Sequence, residues 1–71
     1  MLDWIPVTSS RMTHVAYDAV AETIYVRFRN GEEWWYGSSP QSSWDEFMAP
    51  MTSKGRYIHD ILDGRPNGRV A

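Results

Sequence analysis

The chain has 71 residues, 42% of them hydrophobic and 23% charged, with a formal net charge of -2 and no cysteine. That length excludes two independent cores, and the missing cysteine excludes disulfide staples, thiolate nucleophiles and thiolate metal ligands. The slight negative charge argues against a general polyanion binder, which would be strongly basic, and leaves room for a local basic patch only.

The opening Met1-Leu2-Asp3-Trp4 has no basic run followed by an apolar stretch, and no segment approaches the roughly 18 apolar residues needed to span a bilayer. The expectation is a cytoplasmic protein without membrane contact, in the host cytoplasm if a phage encodes it. A first strand is expected at about 11–17, where Met12 to Tyr17 holds β-branched and aromatic residues before Asp18. A second, at about 23–29, alternates apolar Ile24, Val26 and Phe28 with Tyr25, Arg27 and Arg29, the pattern of a half-buried strand. Asn30-Gly31 then marks a turn, because both residues tolerate positive φ, and a returning strand follows at about 33–37.

The hairpin admits two registers. A two-residue Asn30-Gly31 loop places Trp34 and Tyr36 on the Tyr25-Arg27-Arg29 face and Trp35 in the core. A three-residue Arg29-Asn30-Gly31 loop pairs Phe28 with Glu32, turns Trp34 and Tyr36 inward and leaves Trp35 outside.

Ser39-Pro40 reads as an N-cap followed by proline at the first helical position, and Trp44, Phe47 and Met48 share one face of a helix expected at about 40–48 and ended by Pro50. Ser53 caps a second helix, at about 53–62, in which Tyr57, Ile58, Ile61 and Leu62 recur at helical spacing before Asp63-Gly64 stops it. Gly64 to Ala71 reads as a flexible tail. The sum is an α+β fold: a three-stranded antiparallel β-meander followed by two short α-helices packed on one face, with one domain over 1–63 and the tail at 64–71. Ile24, Val26, Phe28, Phe47, Ile58 and Ile61 form its expected core.

A core this small leaves little depth for a catalytic cleft, since a chain of this size buries only about 60% of its unfolded surface. His14 and His59 lack metal-ligand spacing, and no motif sets a serine beside a base. Glu32-Glu33 and Asp45-Glu46 are explained by a solvated turn and a helix start. A protein without catalytic activity, metal or cofactor is therefore expected. Two features suggest binding instead. Under either register a tryptophan lies beside Tyr25 and Arg27, with Arg29 next to them, on a surface suited to stacking bases. Ser53-Lys54-Gly55-Arg56 opens a helix with free N–H groups, a glycine for close approach and two cations, the elements of a phosphate site.

These residues, in this order, resemble the KTSC domain, a short module found at the C-terminus of some lysyl-tRNA synthetases and as a stand-alone bacterial or phage protein. The resemblance spans about residues 7–62. It rests on Val7-Thr8-Ser9-Ser10, Val15-Ala16-Tyr17-Asp18 and Ile24 to Gly31, and above all on Ser53-Lys54-Gly55-Arg56-Tyr57-Ile58. The family's central Tyr-x-Tyr motif falls on Trp34-Trp35-Tyr36, with tryptophan in its first place. Its often polar middle position implies the three-residue loop and an outward Trp35. The resemblance also implies RNA binding. The expected binding residues are thus Tyr25, Arg27, Arg29, Trp35, Ser53, Lys54, Gly55 and Arg56, with RNA or a nucleotide as partner. The alternative is a protein partner or a second copy of the chain, such as a homo-oligomer that sequesters a small nucleotide.

Overall fold

A computed structural model describes residues 2–71. One antiparallel sheet runs in chain order through β1 (Ile5–Pro6), β2 (Met12–Asp18), β3 (Thr23–Phe28), β4 (Glu33–Tyr36) and β5 (Asn67–Arg69). Between β4 and β5 the chain forms α1 (Gln41–Met48), α2 (Lys54–Asp60) and a 3₁₀ turn, Leu62–Gly64. The α+β class and the antiparallel meander hold, but the sheet has five strands rather than three. Among the described residues, no helix is long and apolar enough to cross a membrane.

The β3–β4 hairpin takes the three-residue loop. Phe28 N–H donates to the Glu32 carbonyl at 2.8 Å, Gly31 closes the turn with φ of 91°, and Val26 and Ile24 lie opposite Trp34 and Tyr36. A positive φ at Gly31 is what this loop requires, and it fixes which side chains face inward. In β2 the register shifts between Met12 and His14. The extra residue, Thr13, puts Met12 on the same face as Val15, and so both join the core.

That core gathers Met12, Val15, Ile24, Val26 and Tyr36 from the sheet and Phe47, Tyr57, Ile58 and Leu62 from the helical side. Phe47 is its hub, with ring centroids 5.6 Å from Tyr57 and 6.1 Å from Trp44, and Trp44 stacks on Tyr17 at 5.2 Å. Four expectations are corrected here. Ile61 is 37% exposed, because α2 ends at Asp60 and the chain turns so that Leu62 enters the core in its place. Phe28 is only half-buried, since it lies at an end of the sheet beyond the buried cluster. Ser39 does not cap α1: it is fully buried, and its hydroxyl reaches the carbonyls of Tyr36 and Gly37 at 3.2 and 3.1 Å. The stretch 64–71, expected as a flexible tail, instead pairs as β5 with β4, matching Trp34, Trp35 and Tyr36 to Arg69, Gly68 and Asn67. A free edge of unpaired backbone groups on β4 explains why a segment with no apolar pattern becomes a strand.

Candidate functional site

The face of the sheet turned away from the helices carries the first candidate patch. Strand pairing sets Ala16, Tyr25, Trp35 and Gly68 in one row across β2, β3, β4 and β5, so two large aromatics stand side by side between two of the smallest residues. The indole of Trp35 leans over Gly68, with Nε1 at 2.8 Å and Cε2 at 3.1 Å from where a Cβ would be, and touches Gly37 through Cζ3. Only glycine at 68 lets the ring lie down on the sheet. Tyr25 and Trp35 are both half-buried and offer the remaining ring surface to solvent.

Arg27 is on this face but engaged. Its Nε donates to Glu33 Oε2 at 2.8 Å, and its guanidinium stacks on Trp4 at 4.4 Å from the ring centroid. Trp4 therefore extends the aromatic surface, bridged by a guanidinium whose charge is already paired. Sequence reasoning did not assign Trp4 to the site, because it lies outside the alternating strands; its only signal was an aromatic residue in an otherwise unpatterned start.

Arg29 is not part of this surface, which corrects the expectation. It sits at the loop and donates through Nε and Nη2 to the Ser9 carbonyl at 3.0 and 2.7 Å, tying the hairpin to the β1–β2 connection.

Ser53, Lys54, Gly55 and Arg56 lie on the helical side of the sheet, so the structure does not join them to the aromatic row. Ser53 caps α2, its hydroxyl accepting from Arg56 N–H at 3.5 Å. Lys54 Nζ lies 5.8 Å from the Phe47 ring, and Arg56 pairs with Asp60 at 3.8 Å. The two cations are thus partly occupied within the protein. Arg11, absent from the expected set, approaches this helix start: its Nη1 donates to the Gly55 carbonyl at 3.2 Å, and a groove of about 570 Å³ runs past Arg11, Ser53, Gly55, Arg56 and His59. His59 in turn bonds Asp60 through Nδ1 at 3.0 Å, which holds the Asp60 carboxyl below its ordinary range.

The family model described as "KTSC domain" matches residues 8–65 of the chain. The fold is similar to the crystal structure of a KTSC domain protein from Yersinia pestis, with a TM-score of 0.89, 25% sequence identity and full coverage of both chains. A search of curated proteins found no match.

Proposed function

The chain belongs to the KTSC domain family, and on that footing we propose that it is a small non-enzymatic binding module that takes single-stranded RNA or a nucleotide on the outer face of its sheet. The observation that carries this reading is the Tyr25–Trp35 pair, two adjacent half-exposed rings set between Ala16 and Gly68. Successive unpaired bases stack on such neighbouring rings, and the energy comes from the π faces rather than from charge. An acidic protein can therefore bind nucleic acid this way with few phosphate contacts. The side chains gathered here are suited to stacking, and the Glu33 carboxylate beside them is held by Arg27.

The groove beside Arg11 and Arg56 is an accessory in this reading, supplying charge to a strand that runs over the sheet edge. The other occupant of the same face is a protein partner or a second copy of this chain, for which an exposed tryptophan is a common hot spot. Titration of labelled single-stranded RNA against the wild type and Trp35→Leu separates the two, because leucine keeps an apolar cover over Gly68 and removes the π face.

A further inference from the structure

The segment before β1 also lies on the outer face of the sheet. β1 sets Ile5 opposite Val15 and Pro6 opposite His14, so the same register carried back along the chain brings Trp4 opposite Ala16 and Leu2 opposite Asp18. Side chains alternate along an extended chain, and the burial follows that alternation: Leu2 and Trp4 are half-buried, whereas Asp3 between them is exposed. Leu2 accordingly lines a hollow with Asp18, Ala19 and Tyr25.

Trp4 thus belongs to the row that continues through Ala16 to Tyr25 and Trp35. Ala16 is 0% exposed although it points away from the helices. An alanine on a bare sheet face would be open to water, so its larger neighbours lie over it, and its short side chain is what leaves them room. Gly68 plays the same part for Trp35 at the other end of the row.

Both indoles are fixed in advance. Trp35 is pressed onto Gly68, and Trp4 stacks at 4.4 Å on the Arg27 guanidinium, which Glu33 Oε2 holds in turn at 2.8 Å. Rings already held in place lose little freedom when a ligand arrives, which favours binding. Neighbouring strands are about 4.8 Å apart, so Trp4 beside β2 and Trp35 on β4 stand about 14 Å apart at the level of the backbone, with Tyr25 between them. A single base covers one ring, or the adjacent Tyr25 and Trp35 at most, and leaves Trp4 unused.

On the reading of the outer face as a base-stacking surface, on which this step rests, we infer that its ligand is a run of at least three unpaired nucleotides laid across the strands, with bases on Trp4, Tyr25 and Trp35. A mononucleotide fills only part of the site. Arg27 is a positioning residue here, acting through the Trp4 ring. Because the row is perpendicular to the strands, the RNA crosses from β1 to β4 rather than following any one of them.

Calorimetric titration of the full chain with oligouridylates of two and three nucleotides tests this, with Tm measured for each variant. The trinucleotide should bind about tenfold tighter than the dinucleotide, the size of one added stacked base. Trp4→Leu, which keeps an apolar cover over Ala16, should remove that advantage and leave the dinucleotide unchanged. Trp4→Phe should restore most of it, and Trp35→Leu should weaken both lengths. Equal affinity for the two lengths overturns the inference while leaving the Tyr25–Trp35 pair as a stacking site. So does a Trp4→Leu protein of wild-type Tm that binds the trinucleotide as the wild type does, or one that weakens both lengths equally, since its ring would then only support the fold. If the wild type binds neither length at millimolar concentration, the base-stacking reading itself fails as well.

Discussion

Trp35 lies across Gly68, its indole Nε1 only 2.8 Å from the point a Cβ would occupy, so the ring that forms the outer surface also clamps the last strand to the sheet. A methyl group there collides with the ring. Gly68→Ala should therefore lower stability by about 1–3 kcal/mol, the range for overpacking, and shift tryptophan emission toward the red as the indole lifts into water. Thermal unfolding with fluorescence detection checks both.

Deleting residues 67–71 makes the complementary case. The segment bonds β4 through Val70 N–H to the Glu33 carbonyl at 2.7 Å and Glu33 N–H to the Ala71 carbonyl at 2.9 Å. Its removal should lower Tm by several degrees, since about 1 kcal/mol moves a domain of this size by roughly 4–8 °C. An unchanged Tm would mean that the stretch is the free tail its composition suggests.

The core is tested by two phenylalanines. Phe47 is fully buried and packs at a tilt against Trp44 and Tyr57, so Phe47→Ala should cost about 3–5 kcal/mol, enough to unfold a marginal domain. Phe28 is half-buried at an end of the sheet, and Phe28→Ala should cost clearly less, about 1–2 kcal/mol, since less apolar surface is lost from the interior. Chemical denaturation of both variants gives the order.

The hairpin was legible in the sequence because Ile24, Val26 and Phe28 alternate strictly and Asn30-Gly31 supplies the turn; which of Trp34 and Trp35 faces out was not, since both registers satisfy the same alternation. β1 and β5 were illegible for a physical reason. Ile5–Pro6 and Asn67–Arg69 carry no apolar period, and they become strands because β2 and β4 offer unpaired edges, a tertiary cause that no local window contains. Arg29 was misplaced for a related reason: the three-residue loop takes it out of the alternation, and the Ser9 carbonyl, far away in sequence, captures it. The Tyr25–Trp35 pair was visible as a possibility, whereas the roles of Trp4 and Arg11 arise only when distant segments meet.

Alkaline pH tests the surroundings of Tyr36. Burial, reinforced by Asp63 and opposed by Arg11, pushes its hydroxyl from 10.0 up to about 12. The folded protein thus favours the protonated phenol, and this contribution to stability is complete below pH 10.0 and lost as pH rises toward about 12. Tyrosinate absorbance should show one tyrosine titrating last. Tyr36→Phe should lose less stability than the wild type across that window, with Tyr17 and Tyr57, also raised by burial, accounting for the loss that remains. Identical alkaline profiles would contradict this.

The outer face is tested most directly by fluorescence anisotropy of labelled single-stranded RNA at two salt concentrations, with the wild type beside Trp35→Leu. Stacking on the Tyr25–Trp35 pair predicts that the wild type binds and that Trp35→Leu loses about 1–3 kcal/mol of affinity while the dependence on salt stays the same. Absence of wild-type binding at low salt, or a Trp35→Leu protein that binds as well as the wild type, would contradict the claim that this face stacks bases.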